Sequence, residues 1–199
     1  MSRKKIAIIL TLLLLLDQVV KIWVKTHMAL NESITVFPDW FFIRFIENPG
    51  AAFGMQLGGD YGKLILSIFR IGAVAALIWY MNRLAKKGAS TGIMIGFGLI
   101  LAGALGNIID SAFYGIIFSE STYTTVATMF PADGGYAGFL HGKVVDMLYF
   151  PIVSGTWPSW FPGLGGDPFT FFSPIFNIAD SYITIGVVYL ILFQRKFFI

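Results

Sequence analysis

The amino-acid sequence predicts an all-α membrane protein with four transmembrane helices, short strands in its first outer loop and a long second outer loop. Composition is the first observation: the 199 residues are 56% hydrophobic and 13% charged, with a mean hydropathy of +0.75, too apolar for a water-soluble domain. Second, four apolar stretches, about 5–26, 63–82, 91–113 and 176–194, match the roughly 20 residues needed to cross hydrocarbon about 30 Å thick. Third, Arg3, Lys4, Lys5, Arg83, Lys86, Lys87, Arg195 and Lys196 flank these stretches on one side, while the loops 28–62 and 114–175 carry little beyond Arg44 and Lys143. The positive-inside rule then puts both termini and the 84–90 connection in the cytoplasm and the two long loops outside. A single integral membrane domain, 1–199, is expected.

The same placement of cations argues against nucleic acid as a partner, although the net charge is +3 and the pI about 9.1. The first stretch begins like a secretory leader, Lys4-Lys5 followed by Ile6 to Leu16. No A-x-A-like cleavage site follows, and Asp17 and Lys21 interrupt the apolar run, so a retained first helix is expected. Cysteine is absent from the sequence, which removes disulfide and thiol chemistry.

In the first outer loop, residues 34–46 are rich in β-branched and aromatic side chains with partial alternation, the pattern of short strands at a membrane surface. The following Glu47-Asn48-Pro49-Gly50-Ala51-Ala52-Phe53-Gly54 gathers turn formers and small residues, allowing a sharp turn and a close backbone approach. In the third helix, Gly92 with Gly96 and Ala102 with Gly106 have small-xxx-small spacing suited to close helix packing. The second outer loop exceeds the usual length of an unstructured connection. Its Trp157, Trp160, Phe161, Phe169, Phe171 and Phe172 favour a seat at the membrane interface.

Acidic side chains are the main pointers to chemistry. A carboxylate in or beside hydrocarbon costs roughly 2.5 kcal/mol or more, and it persists with a partner, a water-filled cavity or a task. Asp146 lies between Val144-Val145 and Met147-Leu148, and Asp180 opens the last helix. The topology brings Asp17 and Lys21 of helix one, Asn107 and Asp110 of helix three, Asn177 and Asp180 of helix four, and Asn48 and Asp146 of the loops to one depth, the outer leaflet. Two carboxyls sharing one site form general acid/base equipment. Structural roles compete for each: Asp17 and Lys21, at i and i+4, can neutralise each other. Asn177 and Asp180 can be an N-cap and a first-turn acid, and Asn48 and Asn107 can be hydrogen-bonding struts. Asp110, near a helix C-terminus, needs a donor that the sequence does not identify.

Other motif matches carry less. Gly88-Ala89-Ser90-Thr91-Gly92 has the G-x-S-x-G form but lacks the strand-to-helix context of a nucleophile elbow. His27 and His141 are isolated, so no metal or other cofactor is expected.

Five blocks, Asp17-Gln18-Val19-Val20-Lys21, Glu47 to Gly54, Gly103-Ala104-Leu105-Gly106-Asn107-Ile108-Ile109-Asp110, Val144-Val145-Asp146 and Phe176-Asn177-Ile178-Ala179-Asp180, in order along nearly the whole chain, resemble the bacterial lipoprotein signal peptidase family, signal peptidase II. The resemblance implies an intramembrane aspartic endopeptidase of the bacterial inner membrane that removes signal peptides from diacylglyceryl-modified prolipoproteins, before the lipidated cysteine. Asp146 and Asp180 fall on the family's catalytic pair. Asp17, Lys21, Asn48, Gly50, Asn107, Asp110 and Asn177 fall on substrate-binding or dyad-supporting positions. It further implies a monomer in contact with membrane lipid, a periplasmic β-cradle in segment 34–46, and a periplasmic helix acting as a lid. The chain departs from the family at Ser111, where Arg usually follows Gly-Asn-x-x-Asp; Arg70, in the outer half of helix two, is expected to supply that charge. It also departs in the extended second loop, of the kind found in longer family forms.

Rival readings are a small proton- or ion-coupled transporter, which calls for repeats and midplane polarity that the sequence lacks, and a non-enzymatic lipoprotein-assembly factor whose aspartates Asn could replace. A Ser/Lys dyad of Ser111 and Lys21 has no supporting pattern.

Overall fold

The computed structural model describes residues 3–49 and 59–197. Its bundle consists of α1 (Arg3–His27), α2 (Gly59–Lys86), α3 (Thr91–Ile109) and, after the second loop, α5 (Ile178–Phe193). Between them, a five-residue π-helical turn, Asp110–Tyr114, and the short α4 (Gly115–Ile117) continue α3. The expectation that this helix ends near 113 is therefore corrected: the span runs Thr91–Ile117, and Asp110 is internal to it. A π turn widens the helix by a residue and is frequent at functional sites. Among the described residues, three segments, Lys4–His27, Gly62–Lys86 and Thr91–Ile117, are long and apolar enough to cross a membrane, whereas Ile178–Phe193 is apolar but has only 16 residues.

The exterior of the bundle is apolar, as lipid requires. On α1, Ile8, Leu12, Leu15, Val19 and Trp23 form an exposed stripe at three- and four-residue spacing. On α2 the exposed face carries Ile65, Phe69 and Trp79, and the inward face carries Ser67, Val74, Met81 and Leu84. The i, i+3, i+7 spacing from Ser67 puts Arg70 on that inward stripe.

Helix α3 is the centre of the packing. Its small-residue seam includes Gly103 as well as the positions that the spacing picks out: a Cβ added at Gly103 would strike the Ala179 carbonyl, and one at Gly106 would strike the Asp17 carboxylate. Absence of side chains there lets α5 and α1 approach α3 closely, a device common in membranes, where apolar burial does not drive association. The seam puts the N-terminus of α5 beside Asp17.

At this end of the bundle sits an antiparallel sheet in the order β1 (Ser33–Phe37), β2 (Phe41–Asn48), β3 (Val144–Tyr149) and β6 (Ile175–Phe176). A separate hairpin pairs β4 (Val153–Thr156) with β5 (Pro168–Phe171). The chain is thus mainly helical with strands, not all-α, and the second loop supplies more of the sheet than expected. Phe176, assigned to the last helix by hydropathy, pairs with β3 instead, as does Ile175 before it. Val145 and Met147 of β3 pack with Val24, Met28, Phe45, Tyr114 and Phe118 in a buried cluster, which anchors the strand to α1 and the π turn. The lid helix has no separate counterpart among the described loop residues, and residues 50–58 lie outside them.

Candidate active site

Asp17 and Lys21 lie one turn apart on α1, both fully buried, with Lys21 Nζ 3.1 Å from Asp17 Oδ2. The pair does more than neutralise itself. Lys21 Nζ is also 2.7 Å from Asp110 Oδ2 and donates to Asn107 Oδ1 at 2.9 Å. Asp110 accepts further hydrogen bonds from Gln18 Nε2 (3.0 Å) and the Val145 N–H (3.3 Å). Those are the donors its position demanded. Asp17 Oδ1 accepts from the Ala179 N–H at 2.9 Å, holding the first turn of α5. A buried charge persists when it is paired and hydrogen-bonded on every side, and this cluster meets that condition.

Above it stands the candidate acid pair. Asn177 is the N-cap of α5: its Oδ1 accepts from the Asp180 N–H at 2.8 Å, and Asp180 Oδ2 accepts from the Asn177 N–H at 3.3 Å, a capping box. The same Asn177 extends Nδ2 to Asp146 Oδ1 at 2.7 Å and to Asn107 Oδ1 at 3.1 Å. Asn107 Nδ2 donates to Asp180 Oδ1 at 2.8 Å. On the other side, Asn48 Nδ2 donates to Asp146 Oδ2 at 3.2 Å. Antiparallel register aligns this last contact, with Ile46 opposite Asp146 and Asn48 opposite Val144. The asparagines are therefore both struts and direct partners of the acids.

Burial, reinforced by the nearby Asp180 carboxyl, pushes the Asp146 carboxyl up to about 7, against the donations from Asn48 and Asn177 and the Lys21 charge. A carboxyl that titrates near neutrality beside a second one is what general acid/base chemistry requires. Arg70 interacts electrostatically with Asp180, Asp146 and Asp110.

Of the residues singled out in the sequence, Asp17, Lys21, Asn48, Asn107, Asp110, Asp146, Asn177 and Asp180 thus join one network; Gly50 lies outside the described residues. Ser111 Oγ donates to the Asn107 carbonyl, and Lys21 is engaged with acids, so the Ser/Lys alternative has no geometry behind it. Two features escaped sequence reasoning. Gln18 bridges Asp17, Asp110 and Tyr114, and its one signal was a polar amide beside Asp17 in an apolar helix. A second buried ionic cluster centres on Glu47, paired with Lys25 and Lys143; Lys25, one turn beyond Lys21, was the available sign of it.

Comparison with known proteins gives a consistent picture. The family model described as signal peptidase (SPase) II matches residues 9–196. The lipoprotein signal peptidase of Porphyromonas gingivalis is 51% identical over 189 residues, covering 94% of this chain and 81% of that protein. That of Amoebophilus asiaticus is 38% identical, covering 92% and 75%, and that of Chlorobium phaeobacteroides is 32% identical, covering 94% and 93%. Among solved structures, a bacterial membrane enzyme determined by the in meso method at 1.9 Å superposes with a TM-score of 0.64 at 28% identity, covering 98% of this chain and 94% of that one.

Proposed function

This chain belongs to the signal peptidase II family, and on that premise we propose that it is an intramembrane aspartic endopeptidase removing signal peptides from diacylglyceryl-modified prolipoproteins, before the lipidated cysteine. The observation that supports the reading at the level of atoms is the Asn177 bridge, one side chain and its own N–H reaching both Asp146 and Asp180. In the mechanism, Asp146 holds the proton and Asp180 is the carboxylate. Water attacks the scissile carbonyl carbon, giving a proton to Asp180, while Asp146 protonates the carbonyl oxygen. The resulting gem-diol collapses as Asp180 passes its proton to the departing cysteine nitrogen and a diol hydroxyl returns one to Asp146. The C–N bond breaks and the pair is restored, with no metal or other cofactor required.

The single domain crosses the bacterial inner membrane four times, with the shorter apolar α5 completing the set. Both termini are cytoplasmic, and the acid pair faces the outer leaflet. The protein works as a monomer in contact with membrane lipid. Purified protein in a lipid-like detergent should cleave a diacylglyceryl-modified precursor before its cysteine and leave the unmodified precursor intact. The rate should fall as pH rises through about 7, where Asp146 loses the proton that polarises the carbonyl. Equal cleavage of both precursors, or none of either, defeats the reading.

Arg70 takes the place of the cation that the family pattern puts at position 111, its charge directed to the acid pair from the inward stripe of α2. Arg70→Ala should lower kcat/KM roughly tenfold, corresponding to about 1.4 kcal/mol of lost transition-state stabilisation. Unchanged turnover and substrate binding would show that the cation has no part in the reaction.

A further inference from the structure

We propose that Glu47 is a positioning residue: clamped by Lys25, Ser121 and Lys143, it fixes Asn48 against Asp146 and so sets the geometry of the acid. The proposal rests on the peptidase reading above. It also gives the segment between Phe118 and Val144 a task, as a strut.

The Glu47 side chain is 3% exposed, and its two oxygens are divided between three partners. Oε1 accepts from Lys25 Nζ and, at 3.2 Å, from Ser121 Oγ. Oε2 lies 3.1 Å from Lys143 Nζ, an ion pair without hydrogen-bond alignment. Lys25 is itself fully buried, donates to Ser121 Oγ at 2.9 Å, and lies 4.9 Å from the ring centre of Tyr136. The Tyr136 hydroxyl accepts from the Lys143 N–H at 2.6 Å. One carboxylate therefore ties together α1, the end of β2, the strut and the residue that leads into β3.

Two neighbours of this clamp belong to the acid site. Asn48 follows Glu47 on β2, and successive strand side chains point to opposite faces, so holding Glu47 on one face holds Asn48 on the other. Asp146 lies three residues beyond Lys143 on the partner strand. Asn48 ends β2 and is followed by Pro49, which has no N–H to extend the ladder. The clamp supplies the fixation that the ladder cannot. A buried ion cluster contributes little net stability compared with apolar residues of the same volume, and what this one provides is a fixed position.

The groups that face Asp146 are Asp180 from α5, Lys21 from α1 and Arg70 from α2, with Asn48 and Asn177 as donors. Lys25, Lys143 and, through Lys143, Glu120 surround Glu47. Donation from Asn48 favours the charged form of Asp146. Loosening Asn48 should consequently move the alkaline limb of the pH–rate profile upward.

The test compares wild type, Glu47→Gln, Lys143→Gln, Asn48→Ala and the Glu47→Gln/Asn48→Ala double variant, using kcat, KM and pH profiles on the lipidated precursor. Glu47→Gln should lower kcat roughly tenfold with KM nearly constant and raise the alkaline limb. The double variant should be within about twofold of Asn48→Ala alone, since both changes act through one contact. Lys143→Gln, whose side chain is 29% exposed, should fold and shift the limb in the same direction by less; if Glu47→Gln does not fold, that limb decides. Additive losses, or an unmoved limb with activity following the amount of folded protein, overturn the clamp while leaving the peptidase intact. An inactive wild type overturns the underlying reading instead.

Discussion

Asp146→Asn and Asp180→Asn should each produce a folded protein whose cleavage of the lipidated precursor is slower by roughly 10³-fold or more, the scale of a lost general acid or base. Folding should survive because both substitutions keep an oxygen where an acceptor is needed. At position 180 the new amide oxygen can accept from Asn107 Nδ2 or from the Asn177 N–H but not from both, while the backbone N–H that Asn177 Oδ1 caps is unchanged. At position 146 the new amide can accept from Asn177 or from Asn48 but not from both, since its nitrogen has no acceptor capacity. Each substitution should therefore strand one donor and lower the thermal midpoint modestly, with the protein remaining folded. The catalytic losses have different origins. Without Asp146 no proton is available for the carbonyl oxygen, and without Asp180 no base is available for water. Combining the two should cost little more than either alone, as expected of groups acting as a unit. Substantial cleavage by either folded variant would remove the pair from the chemistry and return the aspartates to a structural role.

The site was legible in the sequence to the extent that its residues were improbable where they stood. Asp17, Lys21, Asn107, Asp110 and Asp180 interrupt apolar helices, and in hydrocarbon each interruption needs a partner; helix direction alone then gathers them at one end. The Asn177 and Asp180 capping box was readable from spacing, as was the paired i, i+4 charge on α1. Less legible was anything that depends on contacts between distant segments. Asp146 reads as a loop acid because β3 becomes a strand only by pairing with β2, about a hundred residues earlier. The π turn at Asp110–Tyr114 has no local signal, since its residues fit an α-helix equally well. Lys25 and Glu47 look like solvated residues at a helix end and a strand end, and only the long second loop, by covering them, makes them buried partners.

Lys21→Met should be the most destabilising single substitution in the bundle, at about 3–5 kcal/mol, the cost of breaking a buried ion pair from one side. The ammonium is the common partner of two fully buried carboxylates, Asp17 and Asp110, at 3.1 and 2.7 Å. Methionine fills the volume but leaves both acids facing each other across an apolar gap, with Gln18 as their remaining shared donor. The damage should travel to the reacting end, because Lys21 also holds Asn107, and Asn107 holds Asp180. At roughly 2–4 °C per kcal/mol for a chain of this size, the thermal midpoint in detergent should fall by on the order of 10 °C. Pairing Lys21→Met with Asp110→Asn should recover part of that fall, since it removes one stranded charge while keeping an oxygen for the Val145 N–H. Activity should not recover with stability, because Asn107 Oδ1 has still lost the charged one of its two donors and keeps only Asn177 Nδ2 to orient it toward Asp180. A double variant that regains both would show that the lysine serves only to neutralise buried acids.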